Sequence, residues 1–248
     1  MFIEADKYTS GTGKGMMRLF GSRSPMRSKL CGFFINIVQS YGYRLNCLVV
    51  ALQILDRFLT NTTVSDVKEC IYHYAFVSMM IAVEEVHGFP MTAKRFEHHV
   101  GERCSSRTIK RYKKEIMKTL MGVVSVATTT DLLMATLQVA AYKYPLEFAA
   151  SDMFERIDRI RRNKLPLEPR LFLFDFNLFV DPCSLAIAVA CDQQCQKISG
   201  PKLASACFYV LVEEATDLDL DMLDGCALYS YKEVAAIASY IKKFVKSA

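Results

Sequence analysis

The sequence predicts an all-α fold, arranged as two successive sets of about five helices each. Three observations predict it. Apolar residues recur at spacings of three and four, the period of a helix with one buried face. Period-two alternation, the mark of a half-buried strand, is almost missing. Clusters of Gly, Pro, Ser and Thr interrupt the helical pattern at intervals suited to helix termini.

Residues 1–25 carry breaker clusters, SGTGKG from Ser10 and GSRSP ending at Pro25, and read as an N-terminal segment poor in structure. Gly11–Gly15 is not a phosphate loop, which needs Ser or Thr directly after the Lys; here Gly15 follows Lys14. Pro25 suits the first turn of a helix. Met26, Leu30, Phe33, Phe34, Ile37 and Val38 carry that helix's apolar face toward Tyr41. Next comes LNCLVVALQILDRFL, Leu45–Leu59, apolar nearly all round and therefore placed inside a bundle. Its 15 residues fall short of the ~20 needed to cross a bilayer. Asp56 lies in this apolar stretch. A carboxylate buried there is costly unless a fixed basic partner reaches it from another helix.

Thr63 or Ser65 is expected to cap a third helix through Val67, Ile71, Tyr74, Ala75, Val77, Ser78, Ile81 and Ala82, broken near Gly88 and Pro90. Met91–Val100 reads as a short amphipathic helix. Ser105-Ser106 caps a fifth helix, with Ile109, Tyr112, Ile116 and Leu120 on one face. Arg107, Lys110, Arg111, Lys113, Lys114 and Lys118 surround the rest. Val123–Thr130 reads as a linker. The second set, at 131–246, comprises Leu132–Tyr144, Phe148–Asn163, Ser184–Ile198, Lys202–Glu214, Leu218–Leu223 and Tyr231–Val245. Residues 170–180, RLFLFDFNLFV, fit a strand or a buried helix equally.

The 248 residues are 52% hydrophobic and 23% charged, an ordinary globular composition. A net charge of +5 is too mild to imply nucleic acid. No apolar run is long enough for a membrane helix, so no membrane contact is expected. The nine Cys are scattered through apolar helical runs without a secretory signal before them. They read as reduced, buried thiols of a nuclear or cytoplasmic protein. His98, His99 and Cys104 are too few and badly spaced for zinc. Cys191 and Cys195 share a helical face, but no second ligand pair lies near them in the sequence. No nucleophile elbow is present. No catalytic residue, metal or cofactor is expected.

Met26-Arg27-Ser28-Lys29-Leu30 resembles the MRxxL opening of a cyclin box. Leu55-Asp56-Arg57-Phe58-Leu59 resembles its LDRFL motif, at the separation typical of that family. Ile81-Ala82-Val83-Glu84-Glu85, followed by Pro90, resembles the end of the box's third helix. The resemblance implies a first cyclin box at 26–122 and a second cyclin-like helical repeat at 131–246. It also supplies the partner of Asp56: Arg27, in a buried ion pair. It implies a non-catalytic subunit that binds a cyclin-dependent kinase and alters its activity or substrate choice, in nucleus and cytoplasm, during the cell cycle. The alternative is a transcription adaptor of the same architecture that binds nucleic acid or other proteins through Arg107–Lys118 and Arg156–Lys164.

The kinase-contact face implied by the resemblance holds Ala82, Glu84, Glu85, Tyr112, Lys113 and Ile116. The family marks this face with a Lys on the third helix and a Glu on the fifth. Ala82 and Lys113 stand at those positions, and Glu115 lies about 200° around the helix from Lys113. A cation where a carboxylate is usual repels many partners. Met26, Leu30 and Phe33 match the family's docking patch for Arg-x-Leu substrates. Asn36 and Cys70 replace its usual Glu and Gln, so weak docking is expected. These departures, with the short flanks of the two boxes, fit a viral or otherwise divergent cyclin.

Overall fold

The structure is a computed structural model and describes residues 14–21, 24–92, 105–150, 182–192 and 194–247. Regular structure among the described residues is helical, with no strand. They divide into two compact units, one within Thr9–Val126 and one within Ala127–Ala248.

The first unit contains α1 (Lys14–Phe20), α2 (Met26–Tyr41), α3 (Asn46–Asn61), α4 (Ile71–His87) and α5 (Ser106–Thr119). Helix α3 is its centre and packs against the other four. Leu48, Ala51, Ile54, Leu55, Phe58 and Leu59 of α3 are fully buried. Burying each large apolar side chain contributes about 1.5–3 kcal/mol, so the helix that is apolar all round holds the unit together. Burial also pushes the Cys47 thiol, on α3, up to about 12 and keeps it protonated at neutral pH. Helix α2 stops where Gly42 adopts a left-handed conformation (φ 63°), and Tyr43 N–H closes the turn on the Val38 carbonyl at 2.9 Å.

Two local departures from the sequence reading follow from packing. Residues 1–25 include a helix, α1, laid against α3. Gly15 allows it: a Cβ there would overlap the backbone of Leu59 and Thr60. Arg18 then donates to the carbonyls of Leu59 at 2.8 Å and Thr62 at 3.5 Å, where a cation suits the C-terminal end of α3. The third helix begins at Ile71, not near Val67. Thr62 Oγ1 accepts from Val64 N–H at 3.2 Å, and residues 65–70 form turns that still bury Val67. The apolar pattern therefore runs on through non-helical backbone.

The second unit contains α6 (Thr129–Lys143), α7 (Pro145–Ala150), α8 (Pro182–Cys191), α9 (Gly200–Ala215) and α10 (Tyr231–Ser247). Helix α9 is buried from Leu203 to Val212 and packs against α6, α8 and α10. The Thr run expected in a linker instead opens α6. Thr128 Oγ1 accepts from Asp131 N–H at 3.1 Å, while the Asp131 carboxylate accepts from Thr128 N–H at 2.9 Å. Pro201 occupies the first turn of α9, where its missing N–H costs no helical bond. The single helix expected at Ser184–Ile198 ends at Cys191. There Asp192 accepts from Gln194 N–H at 2.9 Å and Cys195 N–H at 3.0 Å, turning the chain. Cys191 and Cys195 therefore do not share a helical face.

The helix expected at Met91–Val100 lies outside the described residues beyond Thr92. So do His98, His99, Cys104, Phe148–Asn163 beyond Ala150, and residues 170–180.

Candidate protein-interaction site

Arg27 of α2 and Asp56 of α3 are only 3% and 1% exposed. Arg27 Nη1 donates to both carboxylate oxygens, at 3.0 and 2.7 Å. Charge-assisted bonds of this kind are strong in a dry interior, and they tie the entry of the unit to its central helix. The next residue, Arg57, points about 100° around the same helix. It donates to the carbonyls of Val123 at 2.8 Å and Val124 at 3.5 Å, fixing the chain where it leaves α5. That role was missed from the sequence. The sequence marks it as the cation of the Leu55–Leu59 motif, and nothing local names the carbonyls it reaches.

Where α4 meets α5, aromatic rings form a continuous layer. Tyr74 stacks on Phe58 at 4.7 Å between centroids and meets the edge of Tyr112 at 4.6 Å. His73 stacks on Tyr112 at 5.6 Å. The Tyr74 hydroxyl donates to Glu115 at 2.6 Å. Burial, and then this bond to a carboxylate, push the Tyr74 phenol well above its ordinary range. Glu115, the carboxylate two positions beyond Lys113, thus belongs to the support of the aromatic layer.

Three of the six residues expected on the contact face are buried, and only Tyr112 belongs to this layer. Ala82 and Ile116 are 0% exposed and Tyr112 is 4% exposed. As placed, they cannot touch a partner. The resemblance carries positions over without saying what covers them, and here the fold itself encloses these side chains.

The other three residues reach the surface. Glu85 is exposed, while Glu84 and Lys113 are partly so. Lys113 Nζ lies 2.5 Å from Glu84 Oε2, and Glu84 Oε1 accepts from Met91 N–H at 3.1 Å. Lys113 is therefore not an uncompensated cation. The pair runs opposite to the expected marker pair, with the carboxylate on α4 and the cation on α5.

On α2, Leu30 is fully buried, which removes it from the docking surface. Met26 and Phe33 are partly exposed. Phe33 meets Tyr72 edge-on at 5.9 Å, and Tyr72 is 45% exposed. The apolar patch that remains is Met26, Phe33 and Tyr72, with Asn36 exposed and Cys70 half-buried.

Among the described residues, no cluster of His, Cys, Asp and Glu has the arrangement to hold a metal. No described helix is long and apolar enough to cross a membrane. The family model of the cyclin N-terminal domain matches residues 9–125, a span that takes in α1 as well as the Arg27–Asp56 pair and the α4–α5 corner. No curated protein matches the chain significantly.

Proposed function

Because residues 9–125 make this chain a member of the cyclin family, we propose that it is the regulatory subunit of a cyclin-dependent kinase. A cyclin-like regulatory role follows from the family; the kinase partner is the step beyond it. The observation that carries the reading is the cyclin N-terminal domain itself, matched over residues 9–125.

The geometry supports a rigid contact face at the ends of α4 and α5. Glu84, Glu85 and Lys113 are its polar groups, and Ala82, Tyr112 and Ile116 brace it from behind. A regulatory subunit of this kind performs no chemistry. It repositions the kinase's regulatory helix so that the active-site Lys–Glu pair forms. A preorganised surface suits that task, because little ordering free energy is lost on binding. Docking of Arg-x-Leu substrates on Met26, Phe33 and Tyr72 is expected to be weak, since Asn36 and Cys70 offer no carboxylate to a ligand Arg. Action in nucleus and cytoplasm, within the cell cycle, and a viral or otherwise divergent origin are parts of the same proposal.

The test is affinity capture. The immobilised full-length chain is exposed to cell extract, and retained kinases are identified by mass spectrometry. Retention of a cyclin-dependent kinase, reduced by Glu85→Lys, is the expected result. A folded chain that retains none of them contradicts the proposal.

A further inference from the structure

We propose that the exposed face of α5 is a docking surface for an acidic protein segment. The proposal stands on α5 itself and does not depend on the kinase reading. Two of the helix's cations are compensated within the fold: Lys113 by Glu84, and Arg111 by Glu115 at 3.9 Å. Arg107, Lys110, Lys114 and Lys118 are exposed, and among the described residues none has a carboxylate within ion-pair reach. They follow one another at intervals of three, four and four residues on the side opposite the buried Ile109, Tyr112 and Ile116.

This arrangement works against the helix that carries it. The first turn of α5 has no acidic residue to match the helix dipole, and it holds Arg107 instead. Lys110, Lys114 and Lys118 repel one another as like charges four residues apart. Only Lys118, in the last turn, sits where the dipole favours a cation. Local violations of this kind concentrate where a surface serves a purpose other than stability.

The shape of the row selects the ligand. Its cations stand about 4.5 to 6 Å apart along the axis, the interval at which a helix lying alongside presents acidic side chains three or four residues apart. The Glu84–Lys113 pair borders one side of the row and the Arg111–Glu115 pair the other. A narrow positive stripe between ion-paired carboxylates fits one acidic segment more closely than the broad phosphate surface of a nucleic-acid duplex.

Fluorescence anisotropy tests the proposal with two probes: a labelled Ala-rich helical peptide with Glu at alternating three- and four-residue spacings, and a labelled DNA duplex. The full chain is expected to bind the peptide at low salt and to release it as rising salt shortens the Debye length. A Lys110→Glu/Lys114→Glu/Lys118→Glu variant is expected to bind it roughly tenfold more weakly. A matching Lys→Gln triple variant should fall between the two, and circular dichroism reports whether each variant is folded. No peptide binding at low salt, or equal binding by a folded triple variant, overturns the proposal. So does tighter binding of the duplex than of the peptide, lost in the variants, because the face then belongs to phosphate backbones.

Discussion

Glu84 and Lys113 join α4 to α5 through a 2.5 Å ion pair whose polarity is the reverse of the cyclin family's Lys–Glu marker pair. Glu84 does more than Lys113, because its second oxygen also holds Met91 N–H at 3.1 Å. A partly exposed ion pair contributes about 0.5–1 kcal/mol, and losing the amide's acceptor adds about 1 kcal/mol. Glu84→Ala is therefore expected to lower the denaturant midpoint more than Lys113→Ala. In the swapped double variant, Glu84→Lys/Lys113→Glu, part of the stability lost in the single variants Glu84→Lys and Lys113→Glu should return. Strict additivity of those two singles in the double would show that the two side chains do not interact.

The Arg27–Asp56 pair stabilises the first unit in a different regime, because both groups are buried. Removing one partner leaves the other charged and desolvated, at a cost of about 3–5 kcal/mol. Asp56→Ala should lower the melting temperature sharply and weaken kinase capture with it. Arg27→Lys should not restore wild-type stability, since an ammonium lacks the planar guanidinium's geometry. An Asp56→Ala variant that melts with the wild type would remove this pair from the account.

Gly15 sets how closely α1 approaches α3. Gly15→Ala places a methyl group against the backbone of Leu59 and Thr60, which cannot rotate away. Overpacking of this kind costs about 1–3 kcal/mol. The expected sign is loss of stability, with faster amide exchange in α1. Alanine is the better helix former, so a stabilised variant would mean that α1 does not pack there.

Tyr240 gives the second unit an alkaline limit. Burial, then the charge of Asp192 and its 3.1 Å bond to the hydroxyl, raise the Tyr240 phenol from its ordinary 10 to about 12. The folded state thus favours the protonated phenol. That contribution is present in full below about pH 10, the phenol's unfolded value, and is lost as pH rises toward 12. Melting temperature should fall across this window, and the slope should lessen in Tyr240→Phe. The same slope in both proteins would assign the alkaline loss to other groups.

The parts of the fold legible from sequence are those with one apolar stripe and a clear stop. Helices α2, α3, α5, α6, α9 and α10 show the three-and-four period, and α3 shows its central place through apolar residues on every side. Helix α1 was illegible because the glycine that permits its close packing sits in a cluster that otherwise reads as a breaker. The end of α8 was illegible because one carboxylate, Asp192, turns the chain by capturing amides, and this leaves no periodic trace. At the site, motif residues locate Arg27 and Asp56. The resemblance puts Ala82, Tyr112 and Ile116 on a contact face, but an apolar helical position does not say whether packing or solvent covers it. The Glu84–Lys113 pair spans 29 positions between separate helices, and no local pattern encodes such a contact.

Co-elution with purified cyclin-dependent kinases, followed by kinase assay of the eluted peak, tests the central claim most directly. One kinase should move with the full chain as a stoichiometric complex, and its activity toward a substrate peptide should differ from that of the kinase alone. A folded chain that elutes apart from every such kinase, and leaves their activities unchanged, would contradict the claim.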